Sequence, residues 1–127
     1  MNRRNFLSTT AGAAVALTTS ALAGSRDILP DFDEVAAEGI PVLIHVTAPW
    51  CGTCQIQKPI VQKLLGNGDF VKMRKYEVDY DTQGNVLQRF QVQSQSTMIL
   101  YKNGKEIDRQ VGETDPAAIE AFLRKAL

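Results

Sequence analysis

Residues 41–59 read Pro-Val-Leu-Ile-His-Val-Thr-Ala-Pro-Trp-Cys-Gly-Thr-Cys-Gln-Ile-Gln-Lys-Pro, and this stretch decides the fold. Its first part, Pro41–Thr47, is a nearly continuous apolar run with β-branched residues, typical of a strand buried on both faces. Its second part opens a predicted helix, Cys51–Leu65, in which Pro59 should introduce a kink. The expected apolar face of that helix comprises Ile56, Ile60, Val61, Leu64 and Leu65. A buried strand therefore runs directly into a helix.

The rest of the chain supplies further alternating elements around this unit. The predicted elements are a helix over Asp31–Glu38 ended by Gly39, a strand over Val71–Val78, a helix over Gln83–Phe90, a hairpin of Thr97–Tyr101 and Glu106–Val111 around Asn103-Gly104, a helix begun by Thr114-Asp115-Pro116 and a short leading strand over Arg26–Leu29. Helical crossovers predict parallel strands with helices on both faces, and the hairpin adds an antiparallel edge. We expect one α/β domain whose central mixed sheet has four to five strands.

The first 23 residues do not resemble a folded element. Arg3 and Arg4 precede a weakly apolar stretch, Ala11–Leu22, and Ala21-Leu22-Ala23 offers a small-x-small cleavage pattern. Arg-Arg-x-Phe-Leu is similar to the twin-arginine export signal, whereas the alternative is a general secretory signal that happens to carry two arginines. The predicted organisation is a cleaved signal over 1–23 and a mature domain over 24–127, located in the periplasm.

Length and charge exclude several classes of function. The chain has 127 residues with 14 basic and 14 acidic side chains, so it offers no electrostatic footprint for nucleic acid. No apolar run reaches the length of a membrane span. We therefore expect one small domain, most simply a monomer.

The chemistry is concentrated in Trp50-Cys51-Gly52-Thr53-Cys54, which holds both cysteines of the chain. The N–H groups and partial positive charge of a helix N-terminus stabilise a thiolate, the nucleophile of disulfide exchange. A zinc site usually needs four ligands, and the chain has two cysteines and one histidine. A structural disulfide here would close only a tiny loop, where cross-linking stabilises least. The pattern favours a redox-active dithiol.

Residues 41–59 resemble the core of the thioredoxin family, and the similarity continues through residues 75–79, 101–104 and 111–112. The resemblance implies the thioredoxin fold and exchange of disulfides with protein thiols and disulfides. It implies Cys51 as the nucleophile, Cys54 as the resolving thiol, their own disulfide as the only cofactor, and no metal. It further implies that Trp50 shields the site and that Gly112 lies near the substrate groove.

Two departures from the family concern the dithiol itself. Thr53 occupies a position where the family usually has proline. Because threonine has a backbone N–H, it restores a hydrogen-bond donor to the motif. His45, the only histidine, occupies the position of the family's buried acid, and Lys75 matches the lysine that partners that acid. A histidine beside a cation favours the neutral imidazole, which can accept a proton from Cys54. The alternative is a core histidine with a purely structural hydrogen bond.

The third departure lies in Gln95-Ser96-Thr97, the expected wall of the substrate groove. Ser96 occupies the position of the family's cis-proline, and no proline lies between Pro59 and Pro116. A cis bond before a residue other than proline costs about 2.5–4 kcal/mol, so we predict a trans Gln95–Ser96 bond. Restoring proline at this position would test whether its loss limits activity.

These observations predict a periplasmic thiol–disulfide oxidoreductase that acts through Cys51 and Cys54. In an oxidising compartment, a reductant would need electrons from a membrane donor protein. The competing hypothesis is a non-catalytic module that holds a partner, or a soft metal or cluster, at the dithiol. A dimer would supply four cysteines for such a site.

Overall fold

The computed structural model describes residues 29–127. Its strands are β1 (Val42–Thr47), β2 (Arg74–Asp79), β3 (Thr97–Lys102) and β4 (Lys105–Val111). Its helices are α1 (Phe32–Ala37), α2 (Gly52–Leu65), α3 (Gly84–Arg89) and α4 (Pro116–Arg124). The predicted signal over 1–23 and most of the predicted leading strand lie outside the described residues. Within 29–127, no helix has both the length and the apolar character needed to cross a membrane.

The four strands form one mixed sheet, as the sequence predicts, and their order is β2-β1-β3-β4. β1 pairs parallel with β2 and antiparallel with β3, and β3 pairs antiparallel with β4. The expectation that both crossovers produce parallel strands is therefore wrong for the second. The Tyr80 N–H donates to the Thr47 carbonyl, and the Ser96 N–H donates to the Val46 carbonyl. Residues 80–96 thus begin and end at the end of the sheet where β1 and β2 finish. β3 therefore starts at that end and runs antiparallel to β1.

Alternating residues of β1 face two separate cores, because successive side chains of a strand point to opposite faces. Val42, Ile44 and Val46 pack with apolar residues of α1 and α3. Leu43 packs with apolar residues of α2 and α4 on the opposite face. The predicted helices on both faces of the sheet are confirmed, and His45 shares the Leu43 face with α2.

Local sequence signals determine the position of the hairpin turn and the start of the last helix. Asn103 and Gly104 have φ angles of 54° and 77°, the left-handed values that a two-residue hairpin turn requires. Asp115 caps α4 by accepting a hydrogen bond from the Ala118 N–H at 3.1 Å. The predicted turn and cap are therefore confirmed.

The second strand begins later than its apolar pattern predicts. Residues Gly68–Phe70 form a 3₁₀ turn, and β2 starts at Arg74 instead of Val71. The Val71 side chain is 77% exposed, so this residue lies outside the sheet. Phe70 and Met73 are the residues of this segment that enter the core.

Candidate active site

Cys51 and Cys54 form a disulfide at the junction of β1 and α2. Cys51 is the N-cap of α2, and its Sγ accepts a hydrogen bond from the Cys54 N–H at 3.1 Å. Cys54 is fully buried, with its Sγ 3.9 Å from the Val46 carbonyl oxygen, whereas Cys51 keeps 4% of its surface exposed. In the reduced protein, the same N–H would stabilise a thiolate at Cys51, since hydrogen bonds to the charged form favour it. The geometry suits Cys51 to attack and Cys54 to resolve.

Trp50 is held beside the disulfide by a neighbouring loop. Its indole Nε1–H donates to Asp81 Oδ2 at 2.8 Å, and its ring meets Tyr80 edge-on at 6.4 Å. The side chain is nonetheless 60% exposed, so it presents a large apolar surface next to the reactive sulfurs. The sequence did not single out Asp81, because this contact joins residues 31 positions apart.

The remaining motif positions and Pro59 shape α2. A Cβ atom at Gly52 would meet no atom within 4 Å, so the fold of the chain does not itself require glycine there. Thr53 lies in the first turn of α2 and is half-buried. The helix continues through Pro59 to Leu65, although Pro59 has no N–H to donate to the preceding turn. The kink at Pro59 stays a prediction.

The buried face of α2 differs from the predicted one. Cys54, Gln57 and Val61 are its buried residues, whereas Ile56 is 53% exposed. The prediction for Ile56 is therefore wrong, because the second turn of α2 presents position 57 to the sheet and turns position 56 to solvent. A glutamine at a buried helical position gave no apolar signal that sequence reasoning could detect.

His45 is fully buried on the face of the sheet that meets α2. Its Nε2 atom lies 2.9 Å from Gln57 Oε1, and its Nδ1 atom is buried without a hydrogen-bond partner in the described part of the chain. Burial lowers the pKa of His45 below its ordinary value, although the hydrogen bond to Gln57 opposes this shift. The neutral imidazole is therefore the favoured form.

Lys75 acts on His45 through its charge. Its Nζ is 3.7 Å from Glu77 Oε1, and the Lys58 Nζ is 3.4 Å from Glu77 Oε2. Glu77 stands opposite His45 in the parallel register of β1 and β2. The charges of Glu77 and of the two lysines act on the His45 pKa in opposite directions. Lys75 therefore influences His45 as one part of a charged trio.

The loop before β3 has an unusual backbone at Ser96. The Gln95–Ser96 bond is trans, as predicted, and residues 29–127 contain no cis peptide bond. Ser96 has a φ of 61°, which is uncommon for a residue other than glycine. Its N–H donates to the Val46 carbonyl at 2.9 Å, and its carbonyl accepts from the Gly112 N–H at 3.0 Å. Backbone hydrogen bonds on both sides therefore hold Ser96 in this conformation.

The hydroxyl groups of this loop bind its own backbone. Ser96 Oγ donates to the Gln95 carbonyl at 2.5 Å, and Thr97 Oγ1 donates to the Ser94 carbonyl at 2.7 Å. Gly112 follows β4 with a φ of 78°, a conformation that favours glycine. The structure thus brings Ser96 and Gly112 together at the end of β1 that leads to the dithiol.

Comparison with known proteins decides the family. The sequence model described as thioredoxin matches residues 29–125. The chain belongs to the thioredoxin family. Thioredoxin of Mycolicibacterium smegmatis is 36% identical over 95 residues, which cover 74% of this chain and 85% of that protein. Thioredoxin-1 of Saccharomyces cerevisiae is 34% identical over 93 residues, covering 73% and 87% respectively.

A solved structure shows the same fold. The crystal structure of Trxlp from Edwardsiella tarda matches with a TM-score of 0.71 and 42% identity. The match covers 72% of this chain and 89% of that one. With its Cys-Gly-Thr-Cys disulfide, this thioredoxin-family chain is a thiol–disulfide oxidoreductase.

Proposed function

We propose that this thioredoxin-family enzyme is exported to the periplasm and exchanges disulfides with protein substrates there. The observation that carries the proposal is the Cys51–Cys54 disulfide, with Cys51 Sγ hydrogen-bonded at the N-terminus of α2. Arg3, Arg4 and the small residues before Gly24 support export. The disulfide itself serves as the redox cofactor.

In the reductive direction, the Cys51 thiolate attacks one sulfur of a substrate disulfide. A bond forms between Cys51 and that sulfur, and the other substrate sulfur leaves with the electron pair. Cys54 then loses its proton and attacks Cys51, which releases the second substrate sulfur and forms the Cys51–Cys54 disulfide. His45 is the proposed acceptor of the Cys54 proton, since burial favours its neutral form. The two electrons of the dithiol end on the substrate.

Substrate would meet the enzyme on the surface around Trp50, Ser96 and Gly112. Trp50 supplies exposed apolar area, and the loop before β3 lies at the same end of the sheet, where β1 finishes. Since the periplasm is oxidising, we propose that a membrane donor protein reduces the enzyme if it works as a reductant. A reduction potential of about −270 mV would fit a reductant, and one of about −120 mV would fit an oxidant.

A second candidate function is a non-catalytic module that binds a partner or a soft metal at the dithiol. The observation that favours it is Ser96, which replaces the family's cis-proline. The residues of 29–127 contain no group of three or more histidine, cysteine or acidic side chains placed to hold an ion. Such a site would therefore draw on the cysteines of two chains. Metal analysis of the protein purified from the periplasm, together with its oligomeric state, separates this candidate from the monomeric enzyme.

The test of the proposed function compares the wild type with Cys51→Ser and with a double Arg3→Lys/Arg4→Lys variant. The wild type should speed the reduction of a disulfide-bonded test protein by dithiothreitol, and Cys51→Ser should not. The arginine variant should keep its precursor inside the cell, because twin-arginine export needs both arginines. Equal activity of Cys51→Ser would contradict the chemistry, and normal export of the double variant would contradict the route.

A further inference from the structure

Gln57 joins three segments of the site that are far apart in sequence. Its Oε1 lies 2.9 Å from His45 Nε2 in β1. Its Nε2 donates to the Glu113 carbonyl at 2.9 Å and to the Ser96 carbonyl at 3.3 Å. Resting on the proposed function, we propose that Gln57 is a positioning residue that fixes the tautomer of His45 and ties it to both loops at the dithiol.

The tautomer follows from the donors and acceptors of the network. The carbonyls of Ser96 and Glu113 can only accept hydrogen bonds, so the NH₂ group of Gln57 must face them. The Oε1 atom that remains can only accept, and His45 Nε2 must therefore carry the hydrogen. Reversing the Gln57 amide would set its oxygen against two carbonyl oxygens, which leaves one orientation that satisfies every group. The neutral ring is held with its lone pair on Nδ1.

This assignment identifies the basic atom of the site. His45 Nδ1 is buried without a hydrogen-bond partner among the described residues, so its lone pair is free to receive a proton. Cys54 precedes Gln57 by three residues on the same buried face of α2, and its sulfur lies against the carbonyl of Val46, the residue after His45. In the resolving step the Cys54 S–H bond breaks, the proton goes to Nδ1, and the sulfur attacks Cys51. The Cys51–substrate bond breaks, and its electron pair leaves on the substrate sulfur, which solvent protonates.

Charged side chains near His45 also influence its protonation. Glu77 and Lys75 of β2 and Lys58 of α2 act on His45. Cys54 of α2 is buried in the same layer and becomes a thiol only in the reduced protein. Glu77 favours the protonated ring, whereas both lysines oppose it. None of these groups bonds to Nε2, whose partner is Gln57. The proton position is thus set by Gln57.

Gln57 also connects the base with the substrate groove. The Ser96 carbonyl accepts from both Gln57 Nε2 and the Gly112 N–H. Glu113 directly follows Gly112, so the same amide holds the loop before β3 and the segment after β4. A shift of either segment on substrate binding would change the hydrogen bonds of the Gln57 amide that orients His45.

The decisive experiment is nitrogen-15 NMR of the imidazole in untagged protein, where His45 gives the only histidine signal. We expect oxidised wild type to show a protonated Nε2 and an unprotonated Nδ1. Gln57→Met, which can neither accept from Nε2 nor donate to the two carbonyls, should give a mixture of tautomers. Gln62→Met, on the exposed face of α2, is the matched control. A proton on Nδ1 in the wild type, or an unchanged tautomer in Gln57→Met, would overturn the proposal.

The rate of the resolving step gives the functional readout. With the probe 5,5′-dithiobis(2-nitrobenzoate), attack by Cys51 releases one coloured thiolate and resolution by Cys54 releases the second. A positioned base contributes about 10²–10⁴ in rate, so losing only its orientation should slow the second release about ten-fold in Gln57→Met. An unchanged second release would overturn the positioning role. Wild-type NMR decides the tautomer even if Gln57→Met does not fold, and it does so independently of whether the enzyme is active on proteins.

Discussion

His45 Nε2 and Gln57 Oε1 lie 2.9 Å apart in the buried layer between the central strand β1 and helix α2. Both side chains are fully buried, and the structure places the pair in the layer that also holds Cys54. A polar pair at such a position is costly unless its hydrogen bonds are made. The stability and the chemistry of the site therefore depend on the same contact.

Replacing Gln57 should destabilise the protein. Gln57→Met leaves His45 Nε2 and the Glu113 carbonyl without their partner, and a buried group left unsatisfied costs about 1–3 kcal/mol. We expect the free energy of unfolding to fall by about 2–4 kcal/mol in a urea titration. Gln62→Met should change it by less than about 0.5 kcal/mol. A Gln57→Met variant as stable as the control would show that these contacts contribute little.

Stability should fall as the solution is acidified through the range of histidine titration. Burial lowers the pKa of His45 from 6.5, so below that pH the unfolded chain takes up a proton that the folded protein does not. The free energy of unfolding should therefore decrease as the pH falls below 6.5, down to the folded-state pKa. His45→Leu should reduce this slope in urea titrations at several pH values. An equal slope in both proteins would contradict a buried neutral histidine.

Proline at position 96 should disrupt the loop instead of restoring the family's groove. Proline fixes φ near −65° and has no N–H, whereas Ser96 has a φ of 61° and donates its N–H to the Val46 carbonyl. We expect Ser96→Pro to lower the free energy of unfolding by about 1–3 kcal/mol, the cost of leaving the buried Val46 carbonyl without its donor. Ser96→Gly is the control, since glycine accepts a positive φ and keeps the N–H. A Ser96→Pro protein with undiminished stability and higher disulfide reductase activity would refute this account of the loop.

Asp81 should control the mobility of Trp50. Asp81→Ala removes the acceptor of the indole N–H, which leaves a 60% exposed ring held mainly by its edge contact with Tyr80. Fluorescence anisotropy of the single tryptophan should fall, and Asp81→Asn, which keeps an oxygen acceptor, should retain most of it. Asp69→Ala, which removes an ion pair with Arg124, is an exposed control. Equal anisotropy in Asp81→Ala and wild type would mean that packing alone orders Trp50.

Local patterns were sufficient for much of the fold. The apolar run before Trp50 predicts β1, and the cap at Asp115 predicts the start of α4, because both signals act through neighbouring residues. The same holds for Asn103-Gly104, whose left-handed turn is a property of two residues. The dithiol was predictable because both cysteines lie where a predicted strand runs into a predicted helix.

Contacts between distant segments were not predictable in this way. Gln57 is polar, yet it is buried because its three partners come from separate parts of the chain. The reversed direction of β3 depends on where residues 80–96 return to the sheet, and no local spacing encodes it. The cost of a cis bond before a residue other than proline predicted the trans bond at Ser96, but the left-handed φ of Ser96 depends on hydrogen bonds to Val46 and Gly112.

In the proposed mechanism, Cys51 attacks disulfides and Cys54 resolves the product. Mass spectrometry of the Cys54→Ser protein, reduced and then mixed with a disulfide-bonded test protein, tests it most directly. We predict a stable mixed disulfide at Cys51 and no comparable adduct in Cys51→Ser, whose remaining cysteine is fully buried. An adduct that forms at Cys54 in Cys51→Ser, with none in Cys54→Ser, would contradict the account.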